Sequence, residues 1–157
     1  FGRLYLVADV EEVVGKLGPE PLAGDFTLEA FRARLANRTG NIKSLLLNQS
    51  FIAGVGNIYA DEALWLARIA PQRKANTLTA EEVERLYRAV REALRQGIAH
   101  EGSSINWYRK PDGTAGEYQN FFKVYGRGEE PCPRCGSPIR KVWIGQRGTH
   151  YCPQCQA

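Results

Sequence analysis

Methionine is absent from all 157 residues, and the chain opens on Phe1 inside an apolar run. Translation normally begins on methionine, so a processed or truncated piece is expected. Long apolar runs are missing too: no stretch approaches the roughly 18 to 20 consecutive apolar residues of a membrane span. The first thirty residues also lack the basic start and apolar centre of a signal peptide. Neither membrane residence nor secretion is indicated. Histidine is scarce, at two residues, and no Ser-His-Asp arrangement or Walker phosphate loop is suggested by spacing. The common nucleophilic and nucleotide-hydrolysing constellations are therefore not in evidence. Internal repeats and low-complexity tracts are absent as well.

What is present belongs to a folded protein. Hydrophobic residues make up 43% of the chain, an ordinary share that excludes wholesale disorder. The length allows one sizeable domain or two small ones. Formal charge is +4 but uneven: residues 1–30 hold two basic and six acidic groups, the remainder nineteen and eleven. A basic later part suits a polyanion partner, although the same surplus also fits an ordinary solvated surface.

The four cysteines are more specific. Cys132 and Cys135 form one C-x-x-C, Cys152 and Cys155 another, and sixteen residues separate the pairs. That is zinc-ribbon spacing: each pair sits on a tight knuckle, and a hairpin between them brings the second pair across to the first. Four sulfurs complete a tetrahedron, so one Zn2+ with a structural role is expected. Two disulfides would need an oxidising compartment that nothing indicates, and a redox dithiol would need only one pair. His150 precedes Cys152 by two residues and is expected on the hairpin surface. Four thiolates and the ion together lower the charge to about +2, so any polyanion contact must come from local placement of basic groups.

Ahead of the ribbon the pattern is helical. Leu4 to Val7 reads as a short strand and Val10 to Leu17 as a helix, ended by Leu17-Gly18-Pro19-Glu20-Pro21-Leu22, whose two prolines lack the amide donor. Thr27 caps a helix carrying Leu28, Phe31 and Leu35 up to Gly40. Asn41 caps the next, with Ile42, Leu45, Leu46 and Ile52 inward and Lys43 on another side, ending near Gly54. After Gly54-Val55-Gly56-Asn57 a helix runs from Ile58 to Ile69. On it Asp61 and Glu62 are adjacent and point apart, which argues against a paired-carboxylate site. The capping box Thr79-Ala80-Glu81-Glu82 starts a further helix to about His100, with Val83, Leu86, Val90 and Leu94 as its apolar stripe. Residues 101–120 form a polar, glycine-rich loop, and Phe121 to Tyr125 resumes a strand-like pattern. The fold class expected is mainly α with a small β zinc ribbon.

Two places could grip nucleic acid. Between helices, Gly56 lets a backbone approach closely, Asn57 opens the second helix with its positive dipole end, and Lys43 adds a charge. In the ribbon, Gly145-Gln146-Arg147-Gly148-Thr149 should be the hairpin tip, with Arg147 placed to reach a phosphate or a minor groove. Taken singly, the first is equally an ordinary helical hairpin turn and the second a solvated loop arginine; two such grips on one short chain favour nucleic acid.

The stretch Lys43-Ser44-Leu45-Leu46-Leu47-Asn48-Gln49, followed by Ile52-Ala53-Gly54-Val55-Gly56-Asn57-Ile58-Tyr59-Ala60-Asp61-Glu62-Ala63-Leu64, closely resembles the helix-two-turn-helix motif of bacterial formamidopyrimidine-DNA glycosylases. So do Leu17 to Leu22 before it, and Val124-Tyr125-Gly126-Arg127 and Pro131-Cys132 through Cys152-Pro153 after it. The likeness is collinear over essentially the whole chain.

The resemblance implies a base-excision-repair enzyme that removes oxidised purines from DNA and then cleaves the backbone as an AP lyase. Its nucleophile is an amino-terminal proline, assisted by the neighbouring glutamate, in a β-sandwich domain that this chain lacks. Residues 1–22 would then be the tail of that domain and a linker, 23–101 the helix-two-turn-helix domain, 102–126 a lesion-capping loop and connector, and 127–157 the zinc finger. Phe1 matches the family's aromatic wedge, which fills the stack after the base is flipped out. Lys43, Asn57 and Arg147 match its phosphate contacts, and Ser103 and Tyr108 fall at matching positions in the loop. The chain departs from common family versions at Glu101, where a second glycine is frequent, and at Asn106-Trp107. The expected partner is duplex DNA with oxidised or abasic sites, bound by a monomer in the bacterial cytoplasm, at the nucleoid, with the isolated chain catalytically silent. The rival from another class is a non-enzymatic zinc protein acting as a DNA- or RNA-binding architectural module.

Overall fold

A computed structural model of the chain describes residues 5–105 and 109–157. Its elements run α1 (Glu11–Val14), α2 (Leu28–Leu35), α3 (Ile42–Leu46), α4 (Asn57–Ala67), α5 (Ala80–Ala99), β1 (Arg140–Ile144) and β2 (Arg147–Tyr151). Two 3-10 turns, Ala75–Thr77 and Tyr118–Phe121, lie between them. The mainly helical body followed by a two-stranded ribbon is the expected class.

Local chemistry explains most helix starts. Thr27 accepts the Ala30 amide at 3.1 Å, Asn41 accepts that of Ser44 at 2.9 Å, and Thr79 with Glu82 forms the full reciprocal capping box. On α5 the buried stripe is Val83, Leu86, Ala89, Val90, Ala93 and Gly97. A Cβ at Gly97 would begin 2.4 Å from Tyr59 Oη, so a larger residue there would displace that ring from its seat against α5.

The α4 helix is the spine. Ala60, Ala63, Leu64 and Ala67 join the main core with Phe31, Ile42, Leu46, Ile52, Leu86 and Val90. Trp65 leaves that core and enters a second, smaller cluster with Val124, Cys132, Ile139 and Cys152. A helix buried on nearly all sides is the element against which both halves pack.

Several expectations are corrected. Residues 5–7 carry no regular structure, and the first helix is one short turn, Glu11–Val14, without a buried residue. Tyr5, Leu6, Val10, Val13 and Val14 are exposed, so no apolar packing holds a strand or longer helix there. The α2 helix ends at Leu35, with Asn37 in the left-handed region, and α3 ends at Leu46, so Ile52 is buried from the following turns rather than from the helix. Phe121 closes a 3-10 turn instead of opening a strand. The hairpin tip is only Gly145 and Gln146, both at positive φ (55° and 63°) as a tight type I′ turn requires. Arg147 is therefore the first residue of β2, and Thr149 and His150 are buried.

The Leu17–Leu22 segment is docked. Gly18 N–H donates to Gln49 O at 2.7 Å and Ala53 N–H to Pro19 O at 3.1 Å. A side chain at Gly18 would strike the Phe51 backbone at 2.7 Å, and the Arg91 guanidinium holds Pro21 O.

Candidate metal centre and nucleic-acid interface

Each C-x-x-C forms a knuckle. Gly136 N–H returns to Cys132 O at 2.8 Å with Gly136 at φ 77°, and Gln156 N–H returns to Cys152 O at 3.1 Å. The four sulfurs all lie within 4.8 Å of one another, with Cys132 to Cys155 at 4.0 Å and Cys135 to Cys152 at 3.5 Å. A tetrahedron with Zn–S bonds of about 2.3 Å places its sulfurs about 3.8 Å apart, so the donor set fits one structural Zn2+. His150 is not among these ligands.

The surroundings tune the thiols. The Trp65 indole N–H donates to Cys132 Sγ at 3.4 Å and, ahead of backbone donors, works against the burial of that thiol, whose pKa lies below its ordinary value. Hydrogen bonds from Ser137 hold the Cys135 thiol down to about 6, and burial pushes Cys155 up to about 12. The Arg134 guanidinium stacks 4.0 Å over the Trp65 ring and donates to Trp65 O, tying the first knuckle to the end of α4. Gln156 is buried, accepts Cys152 N–H at 2.8 Å and donates to Ile69 O at 2.9 Å.

Between α3 and α4 the chain makes two successive turns. Phe51 N–H bonds Asn48 O at 2.8 Å; Gln49 then spans the second turn, accepting Gly54 N–H at 2.9 Å and donating to Val55 O at 3.0 Å. Gly54 sits at φ 76°, where a side chain is strained. Gly56 is different: its φ is −94°, and a Cβ there would meet nothing within 4 Å. Neither packing nor backbone conformation among the described residues calls for glycine at this position, and none of their side chains caps α4. A bare N-cap leaves the amides and positive end of an eleven-residue helix open to an approaching anion.

Asn57 lies at that open end but is half engaged. Its Nδ2 donates to Gly148 O at 3.0 Å, while its Oδ1 is buried with no hydrogen-bond partner among the described residues. Arg147, next to Gly148, is exposed, and its guanidinium makes no hydrogen bond or ion pair among the described residues. Lys43 departs most from expectation. It is 0% exposed, and its ammonium is held by Asp61 Oδ1 at 2.6 Å, Thr149 Oγ1 at 2.7 Å and Gly148 O at 3.3 Å. Burial pushes its pKa below the ordinary 10.5, with Asp61 opposing. A lysine with three internal acceptors holds the hairpin; reaching a phosphate would require it to give one up.

Asp61 and Glu62 point apart as the helical geometry requires. Asp61 Oδ2 accepts His150 N–H at 2.9 Å, and His150, expected on the surface, is buried beside it. Glu62 accepts the amides of Lys123, Val124 and Tyr125, each at 2.9 Å, and anchors the connector before the ribbon. Its pKa is raised because burial outweighs those three hydrogen bonds.

Residues 17–109 match the formamidopyrimidine-DNA glycosylase H2TH domain and residues 129–157 the zinc finger found in FPG and IleRS. The chain belongs to the formamidopyrimidine-DNA glycosylase family. The family's enzyme from Herpetosiphon aurantiacus is 51% identical over 159 residues, covering 100% of this chain and 58% of that protein. The crystal structure of the MutM (Fpg) protein from Thermus thermophilus superposes with a TM-score of 0.89 at 47% identity, over 95% of this chain and 57% of that one. The Lactococcus lactis Fpg in complex with abasic-site DNA gives 0.85 at 42% identity, over 94% and 56%. The chain thus spans less than three fifths of the formamidopyrimidine-DNA glycosylases it matches.

Of the loop residues the resemblance points to, Ser103 pairs with Glu117 in an isolated antiparallel bridge, and its hydroxyl is buried without a partner among the described residues. Glu101, where the family often has glycine, takes φ 57°, and its carboxylate pairs with Lys110. Gly116 packs on Gly102 O, where a Cβ would lie 2.3 Å away, so the base of the loop is closed tightly. Tyr108 and the Asn106-Trp107 pair lie outside the described residues, as does Phe1. Sequence reasoning missed Trp65, Gln156, Thr149 and the joint role of Asn57 and Asp61. The available signal was the adjacent pair Asp61 and Glu62, four and five residues after Asn57 in a largely apolar helix, since buried carboxylates demand partners.

Proposed function

We propose that the chain is the DNA-gripping part of a base-excision-repair glycosylase and AP lyase of this family that acts on oxidised purines, and that on its own it binds damaged duplex without cleaving it. The observation that carries this is the convergence of two structurally unrelated grips. The bare N-terminus of α4 at Gly56 and the exposed Arg147 of β2 meet through the Asn57–Gly148 bond.

In this reading a phosphate oxygen accepts from the first-turn amides of α4, aided by the helix dipole, and the Arg147 guanidinium holds the same or the adjacent phosphate. Such contacts orient the backbone without reading sequence. Lys43 acts indirectly, by holding Gly148 and Thr149. The loop bearing Ser103 and Tyr108 lies over the lesion, and Phe1 serves as the wedge once the amino-terminal domain holds it. The partner is duplex DNA with oxidised or abasic sites, met by a monomer at the bacterial nucleoid. Support comes from the family relatives, one of them crystallised on abasic-site DNA.

The test is duplex binding by the zinc-loaded chain across a salt series. Log affinity should fall against log salt with a slope of about −0.9 per phosphate neutralised, and Arg147→Ala should remove about one such unit on every sequence. Absence of binding at low salt overturns the grip. Strand cleavage at an oxidised guanine by the chain alone overturns its silence.

A further inference from the structure

The turn at Gly145–Gln146 makes Ile144 and Arg147 the flanking pair of the hairpin. In a two-residue hairpin that pair exchanges main-chain hydrogen bonds, and the polar groups of alternate residues then point out of the ladder. On β2 the alternate residues are Gly148 and His150. Their outward groups lie along a strand edge packed on α4, and buried edge groups need partners. Both are met from α4: Asn57 Nδ2 donates to Gly148 O at 3.0 Å, and Asp61 Oδ2 accepts His150 N–H at 2.9 Å.

The spacings agree. Four residues along a helix advance about 6 Å, and two along a strand about 6.6 to 6.8 Å. A slip of β2 by one residue would present the wrong groups and turn its side chains over. The free oxygen of Asp61 takes Lys43 at 2.6 Å, and Lys43 continues to Thr149 Oγ1, so the buried carboxylate is neutralised inside the same contact. The cysteine end of the ribbon has its own anchors in Trp65, Arg134 and Gln156. Zinc sets the shape of the ribbon, but a closed sphere of four thiolates exerts no hold on the tip.

We propose that Asp61 is the positioning residue of this interface. With Asn57 it locks the edge of β2 onto α4 in one register, and so places Arg147 beside the open start of that helix. The inference rests on reading this face as a phosphate grip.

The experiment uses the full zinc-loaded chain and two readouts. In Asp61→Ala the His150 amide should exchange with solvent about tenfold faster or more, while zinc content stays at one per chain. In the salt series, Arg147→Ala should reduce the slope by about 0.9 in the wild-type background and leave it unchanged in the Asp61→Ala background. Removing the carboxylate strands a buried ammonium. If Asp61→Ala does not fold, the same comparison is made in Lys43→Met, between Asp61→Asn, which keeps an acceptor for His150 N–H, and Asp61→Ala, which does not. Unchanged His150 exchange, or the same slope loss from Arg147→Ala in both backgrounds, overturns the proposal. If Arg147→Ala changes no slope even in wild type, the phosphate reading fails, and His150 exchange still decides whether Asp61 clamps the hairpin.

Discussion

The helical body and the zinc ribbon are held together by different means. The body has a continuous core running from Phe26 to Ala93 through five elements, with Ile42, Leu46, Ile52, Leu64 and Leu86 all at 0% exposure. The ribbon's cluster is Trp65, Val124, Cys132, Ile139 and Cys152; two of these are metal ligands, and Trp65 is lent by α4. So little apolar surface cannot offset the entropy of ordering about thirty residues, which costs on the order of 1 to 2 kcal/mol each. The body can fold on burial alone, whereas the ribbon needs its ion and its seat on α4.

Chelation is the strongest way to break this contrast. Structural zinc in small fingers is worth on the order of 10 kcal/mol. Removing it should abolish amide protection across β1 and β2 in hydrogen exchange, yet leave α4 and α5 protected. Loss of protection over the whole chain would show that the body depends on the ribbon. In the metal-free chain the four cysteines should be alkylated at similar rates at neutral pH, because the folded ribbon that sets their surroundings apart is lost with the ion. Mass spectrometry of partially labelled protein reads the pattern.

The reverse perturbation comes from the body. Leu86→Ala, at a fully buried site on α5, should cost about 2 to 5 kcal/mol in denaturant unfolding. Zinc stoichiometry at low denaturant should not change. A smaller effect of the same kind is expected at the capping box: Thr79→Ala leaves the Glu82 amide without its acceptor at 3.2 Å and should cost about 1 kcal/mol. A ribbon that loses zinc in either variant would erase the distinction between the halves.

The smallest effect lies at the joint. Burial raises the Glu62 carboxyl above its ordinary 4.5, so the native state keeps this proton at a pH where the unfolded chain has released it. Its contribution to stability is therefore full below about pH 4.5 and declines as pH rises through the raised value. Glu62→Gln, which cannot ionise, should flatten that decline in unfolding curves measured across the mildly acidic range, at a constant offset for the lost Lys123 contact. An unchanged pH profile would assign the decline to other groups.

Much of this was legible in the residues. Caps at Thr27, Asn41 and Thr79 are local hydrogen-bonding preferences, the stripe of α5 is a local period, and C-x-x-C spacing is a local ligand geometry. Each depends on neighbours within a few positions, so the main helices, the metal site and the helix-turn-helix around Gly54 to Asn57 follow from the chain itself. The tight hairpin tip was less plain, because Gln146 at positive φ is not a usual turn residue.

What tertiary structure decided is where the polar side chains go once two distant segments meet. Lys43 looks like a surface cation by pattern and is buried by Asp61 and Thr149, the latter 106 residues away. His150 looks like a hairpin surface residue and is covered because β2 packs on α4, with its amide on Asp61 and its ring against Tyr125. The helix caps, the long helices α4 and α5, the four-sulfur metal site and the two candidate grips were already legible in the residues. Only the packing of β2 on α4 decided that they form one surface, because hydrogen bonds between remote edges depend on register, and register is a property of the assembled fold.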